Sequence, residues 1–190
     1  KETLNFLWIG QTSIRKGWDI VASAFQKAFG NRKDVRLYLK TNGKGKQEVY
    51  NLTDNVVFDS RRLALADMLD LYKDNHVFVF PSRGEATGLP ALEAMASGLI
   101  CMAPSIGGME GFINEETAIP LDYGLVKADY GVKTEAPNVK EYDLIEKLHY
   151  VYEFYDEIKN HSKEVRKFIE KQYSIKLMAQ KLIRILFKDA

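Results

Sequence analysis

From Val77 to Gly108 the chain reads VFVFPSRGEATGLPALEAMASGLICMAPSIGG, and this stretch constrains the fold more than any other. Val77 to Phe80 is a short β-branched and aromatic run, the length of a strand covered on both faces. Pro81 and Ser82 end it, and a polar loop through Arg83, Gly84, Glu85, Ala86, Thr87 and Gly88 follows. Leu89 and Pro90 lead into Ala91 to Ala96, rich in strong helix formers. Pro90 suits a first helical position, where a missing N–H is one the helix does not use. Gly98 closes the helix and Leu99 to Ala103 reads as the next strand. Strand, loop, helix and strand make one βαβ unit, which belongs in a parallel sheet.

The chemistry open to this unit follows from its polar atoms. The first turn of the helix leaves backbone N–H groups without intrahelical partners, and the aligned peptide dipoles add positive potential there. Gly88, without a side chain, is expected to let an anion approach that backbone. Glu93, one turn in, offers a carboxylate to neutral donors such as sugar hydroxyls. Glu85 lies on the loop at the same end of the helix. Two acceptors flanking an anion-binding helix end suit a phosphate in the middle and hydroxyls at both ends, the arrangement of a nucleotide sugar.

Two glutamates with seven residues between them, set in S-x-x-E-x-x-G-L-P-x-L-E-A-M-A-x-G, resemble the donor-site signature of retaining GT-B glycosyltransferases, the large sucrose synthase-like family. The likeness continues through Ala103 to Gly108, and Gly10 to Gly17 is similar to the family's phosphate loop. It covers most of residues 4 to 121 and, more loosely, the helical tail. The resemblance implies an α/β fold: a Rossmann-like doubly wound parallel sheet, the C-terminal half of a GT-B fold, with residues 1–190 as one nucleotide-sugar-binding domain and its helical tail from about 139. It also implies a donor site of Gly10, Gln11, Lys16, Glu85, Thr87, Gly88, Leu89, Glu93, Gly107 and Gly108. Glu85 and Lys16 would be the catalytic pair, and Asp59, Ser60 and Arg61 would lie at the nucleobase. The family places an arginine where this chain has Gln11, a neutral amide in place of a permanent cation. Arg15 is the nearby alternative. Where the family has a glutamate after its two glycines, Gly111 stands here and Glu110 precedes it.

Along the chain, Leu4 to Ile9 reads as a buried strand. Trp18, Val21, Ala22, Phe25, Ala28 and Phe29 repeat at the spacing of one helical face, stopped at Gly30. Val35 to Leu39 is a second strand, and Lys40 to Lys46 a basic, glycine-rich surface loop without the spacing of a P-loop. Asn55 to Phe58 is a third strand. The helix Leu63 to Lys73 is expected to bury Leu65, Met68, Leu69 and Tyr72. Thr117 to Leu121 is a last strand, and Asp122 to Pro137 an ordered loop packed over the site. Three helices follow: Val139 to about Asp156, Ser162 to Lys171, and Ser174 to Lys188. The last carries Ser174 as N-cap and an apolar face of Ile175, Met178, Ala179, Leu182, Ile183 and Leu186. That face is expected to meet a partner domain, and to stay exposed or repack without it.

A length of 190 residues suits one domain with a substantial core. A net charge of +1 argues against a dedicated nucleic-acid surface. The single cysteine, Cys101, falls in a buried strand, so no disulfide framework exists and a reducing, cytoplasmic setting is expected, with the inner membrane face open to peripheral association of the full enzyme. The start at Lys1, with a strand already at Leu4, reads as an excised domain lacking its N-terminal acceptor half. No Asp-x-Asp pair or His/Cys cluster offers a metal site, and no cofactor is expected beyond the UDP- or GDP-linked sugar as substrate. His76, His149 and His161 read as structural. The expected function is hexosyl transfer from a nucleoside diphosphate to a glycan, lipid or other cell-envelope acceptor, with retention. A nucleotide-sugar epimerase of the same fold and a non-catalytic binding domain are the alternatives.

Overall fold

The computed structural model describes residues 3–42, 52–130 and 133–187. Six parallel strands form one sheet: β1 (Leu4–Ile9), β2 (Val35–Lys40), β3 (Val56–Asp59), β4 (Val77–Val79), β5 (Ile100–Ala103) and β6 (Ile119–Pro120). Their order is β3-β2-β1-β4-β5-β6. Leu4 pairs with Val35 and Phe6 with Val77, so β1 is central. The strands are short apolar runs because both faces are covered; Val77 to Val79 and Ile100 to Ala103 are buried throughout.

The chain leaves β1 toward β2 on one side and β4 toward β5 on the other. With right-handed crossovers, α1 (Trp18–Phe29) and α3 (Leu89–Ala96) therefore lie on opposite faces. On its face α1 packs against α4 (Glu141–Ile158), and α3 against α5 (His161–Tyr173). Phe6, Phe25 and Phe29 meet with ring centroids 5.0 to 5.7 Å apart, binding β1 to α1. Each such buried ring contributes roughly 1.5–3 kcal/mol by leaving water. Cys101 is buried in β5, which pushes its thiol up to about 12.

The reversal between β1 and β4 opens a crevice at the carboxyl ends of these two strands, the place where sheets of this order bind ligands. The loop after β1 and the loop after β4 meet there. Arg83 N donates to the Arg15 carbonyl at 2.7 Å, and the Ser82 hydroxyl reaches the same oxygen at 3.2 Å.

Four expectations need correction. Most described residues of the expected loop 122–137 belong instead to two antiparallel paired strands, β7 (Tyr123–Asp129) and β8 (Lys133–Val139), whose residues alternate too weakly for a strand signal and are mostly exposed. The helix α2 (Leu65–Lys73) buries Tyr72 only; Leu65 and Leu69 are exposed and Met68 half-buried. In α3 the first helical residue is Leu89, with Pro90 second, since Gly88 at φ +75° is the N-cap. The helix α6 (Ile175–Leu186) begins at Ser174 as expected, the Ser174 hydroxyl accepting from Leu177 N at 3.4 Å, and it contains no buried residue. Of the basic loop, residues 43–46 lie outside the described residues, and Lys40 is not on a surface loop but buried at the end of β2.

Candidate functional site

The loop from Gly10 to Gly17 tightens into a 3₁₀ turn at Ile14–Lys16, closed by Gly17 at φ +73°. A Cβ at Gly17 would stand 2.1 Å from the Pro81 carbonyl, so this glycine lets the two site loops touch. The contact brings together residues 69 apart. Lys16 Nζ donates to Glu85 Oε1 at 2.6 Å, the Ser82 hydroxyl donates to the same oxygen at 2.7 Å, and Arg15 Nη1 lies 3.9 Å from it. Side-chain exposure is 7% at Glu85 and 16% at Lys16, so the pair is formed away from bulk water. Glu85 Oε2 accepts no hydrogen bond among the described residues.

Beside this pair a cleft of about 760 Å3 is lined by Gly10, Gln11, Arg15, Lys16, Lys40, Thr41, Arg61 and Arg62 among others, and among the described residues no carboxylate is in its wall. Anions are the charge such a wall attracts. Gln11 is exposed at its edge, whereas Lys40 is turned inward. The Lys40 amine donates to the carbonyls of Thr41 and Arg61, and burial lowers its pKa below the ordinary lysine value.

Of Asp59, Ser60 and Arg61, it is Arg61 that lines the cleft. Asp59 is buried and accepts from Tyr38 Oη at 2.6 Å, from Arg61 N at 2.8 Å and from the Arg61 guanidinium at 2.9 and 3.0 Å. Its carboxyl is held well below the usual range, chiefly by the Arg61 hydrogen bonds. Asp59 is thus engaged inside the protein, and Ser60 and Arg61 are the exposed members of the trio.

At the start of α3, the amides of Ala91 and Leu92 turn back onto the Gly88 carbonyl at 2.9 and 3.2 Å, and Pro90 has none. Gly88 and Leu89 are left as the amides without an acceptor among the described residues. Gly88 itself is buried: a Cβ there would lie 2.5 Å from Met109. Its lack of a side chain serves the positive φ and protein packing. Gly107 and Gly108 behave likewise, since a Cβ would stand 2.5 Å from the Glu85 carbonyl and 1.9 Å from that of Ala86. These glycines let the 107–109 turn clasp the Glu85 loop, and Gly108 N donates to Glu85 O at 3.3 Å. Glu110 turns back to accept from Gly107 N.

Thr87 and Leu89 are exposed at the mouth of the helix. Glu93 is exposed on α3 and accepts from the Tyr72 hydroxyl at 2.8 Å, but it does not line the cleft around Lys16. Three residues escaped the sequence reading. Ser82 orients Glu85. Tyr72, taken there as core alone, carries a hydroxyl to Glu93. Arg83 is 8% exposed and holds Asp19 in a fork at 2.9 and 3.0 Å, donates to Asn138 at 2.7 Å, and caps the Ile14 carbonyl. It ties the site loop to α1 and to the hairpin. Its only sequence signal is a position just past a buried strand.

His76 Nδ1 accepts from Asn5 N, His149 packs on Phe29, and His161 meets the Glu116 carbonyl. Among the described residues no group of His, Cys, Asp and Glu could hold a metal ion. None of their helices is long and apolar enough to cross a membrane.

A parallel sheet in the order 3-2-1-4-5-6, with an ion pair at its switch point, defines a doubly wound α/β domain. Residues 3–129 match the family described as Glycosyl transferases group 1, and the chain belongs to that family. It is 31% identical over 117 aligned positions to mannosylfructose-phosphate synthase from Agrobacterium fabrum, covering 54% of this chain and 26% of that protein. Among solved structures, Anabaena Alr3699/HepE in complex with UDP-glucose superposes with a TM-score of 0.76 at 15% identity, over 97% of this chain and 48% of its own. The C-terminal domain of a glycosyl transferase group 1 family protein (LpcC) from Francisella tularensis gives 0.74 at 17% identity, over 92% and 88%. The fold is that of GT-B glycosyltransferases. The chain spans about a quarter of the curated relative's length.

Proposed function

We propose that this chain is the donor-binding part of a retaining, metal-independent glycosyltransferase that moves a hexosyl group from a nucleoside diphosphate to an acceptor. The observation that carries the reading is the Lys16–Glu85 pair, set at the switch point beside a cleft walled by cations. A lysine in contact with Glu85 can also donate to a phosphate, while Glu85 Oε2 is free to accept from a sugar hydroxyl. The donor's central phosphates would meet Lys16 and the Gly88 and Leu89 amides, and Glu93 would hold the ribose. In the transfer the bond from the anomeric carbon to the diphosphate oxygen breaks and a bond to the acceptor oxygen forms. The acceptor proton passes to the departing diphosphate. Charge gathers on that diphosphate, and fixed donors there stabilise the transition state more than the ground state.

UDP-glucose is bound by the HepE structure of like fold, which supports a nucleotide sugar as ligand and leaves UDP and GDP both to be tried. Turnover requires an acceptor half, so the chain by itself should bind donor without useful transfer. A cytoplasmic setting, with the full enzyme able to associate with the membrane face, belongs to the same proposal. Calorimetric titration of the chain with UDP, GDP and their sugar conjugates tests it. Lys16→Ala should weaken diphosphate binding about tenfold or more, the loss of one charge-assisted hydrogen bond. Absence of heat with every nucleotide would end the reading.

Gln11 favours a second reading, a domain that binds the nucleotide sugar without catalysis, because it brings no charge to the cleft edge. Release of UDP or GDP by the complete protein in the presence of acceptor separates the two.

A further inference from the structure

Glu93 stands on the exposed side of α3, where a glutamate ordinarily loses considerable rotamer freedom to hold one geometry. Its Oε2 accepts a 2.8 Å hydrogen bond from the Tyr72 hydroxyl, and its Oε1 has no partner among the described residues. Tyr72 closes α2, is 4% exposed, and its ring lies 6.4 Å from that of Phe78 in β4. The ring is therefore fixed by the sheet, and the hydroxyl is presented from a rigid base. Burial and the Glu93 charge both raise the phenol's pKa, so it stays a donor at any working pH. The other end of α2 and the turn before it, at Met68 and Leu63, border the cleft beside Lys16. One hydroxyl thus joins the helix that borders the cleft to α3.

We propose that Tyr72 is a positioning residue: its hydroxyl locks one oxygen of Glu93 so that the other is aimed to accept from the vicinal hydroxyls of a nucleotide ribose. This rests on the reading that Glu93 holds the ribose. It assigns a role in selecting ribonucleotides over deoxyribonucleotides to a residue whose ring belongs to the core.

The test titrates wild type, Tyr72→Phe and Glu93→Gln with UDP and 2′-deoxy-UDP, and with the guanosine pair if uridine gives no heat. Tyr72→Phe removes one oxygen and keeps the ring packing. Wild type should prefer the ribonucleotide about tenfold, the size of one hydrogen bond to a charged group. Tyr72→Phe should reduce that preference to about twofold or threefold on the same scale while deoxynucleotide affinity stays near wild type. A purely structural defect weakens both nucleotides alike and leaves the ratio unchanged. An unchanged ratio in Tyr72→Phe, with the ratio lost in Glu93→Gln, overturns the role of Tyr72 and leaves Glu93 on the ribose. A ratio unaffected by Glu93→Gln, or no nucleotide binding by wild type, overturns the parent reading as well.

Discussion

The helices α3 and α6 are both apolar, and they end in opposite conditions. In α3 the side chains of Ala91, Ala94 and Met95 are fully buried against β5 and α5. In α6 the cleaner stripe, Ile175, Met178, Leu182, Ile183 and Leu186, faces water, with Ile175 88% exposed. Lys176, Lys181 and Arg184 occupy its polar side. Periodicity therefore identifies a face that needs covering and says nothing of what covers it. Covering α3 also fixes the site, because its N-terminus, Glu85 and Lys16 share one packed junction. Nothing comparable holds α6.

Substitutions at matched positions should sharpen that contrast most. Met95→Ala is expected to cost about 3 kcal/mol, the loss of a fully buried side chain plus its cavity. Leu182→Ala should stay within about 0.5 kcal/mol; urea unfolding measures both. Near-equal costs would mean that α6 is covered in solution. Arg83→Ala comes next at about 2 kcal/mol, since it strips charged hydrogen bonds from a buried fork and frees the loop carrying Glu85. Nucleotide affinity measured on the same variant should fall with stability. Gly88→Ala should cost about 1–2 kcal/mol, because φ +75° is strained for alanine and Met109 must shift. A gain in stability would show that the α3 cap is softer than its geometry implies.

Acid should separate the two regions more gently. Asp59 is depressed in the folded state, so its contribution is complete above the unfolded value of about 3.9 and is lost as pH falls toward the lower folded value. Asp59→Asn should therefore differ from wild type most above about pH 5, and the gap should narrow steadily as pH falls below about 4. Unfolding midpoints across that range measure the gap. The stretch Ile175–Leu186 contains no acidic residue, so Lys181→Gln should leave the acid limb unchanged.

Much of this architecture was legible in the chain. The apolar runs at 4–9, 35–39 and 77–80 placed strands, Ser174 placed a cap, and the 77–108 stretch placed the unit that bears the site. Two kinds of feature were not legible. One was contact between residues far apart in sequence: Arg83 with Asp19 and Asn138, or Tyr72 with Glu93, shows nothing at either position that names the other. The second was the reason for a residue. Gly88 reads as room for an anion, and what its missing side chain and those of Gly107 and Gly108 also admit, Met109 and the carbonyls of Glu85 and Ala86, lies far off in the chain. The hairpin at 123–139 was missed because its exposed strands lack alternation.

The sequence by itself determined the strands of the parallel sheet and the helices that alternate with them, since hydrophobic period and capping chemistry act over a few neighbouring residues. Only the tertiary structure decided that Lys16 closes on Glu85, that Asp59 is occupied by Arg61, and that α6 lies bare. Such outcomes depend on which surfaces meet at the reversal of the sheet, and the meeting is set by packing across separations of tens of residues.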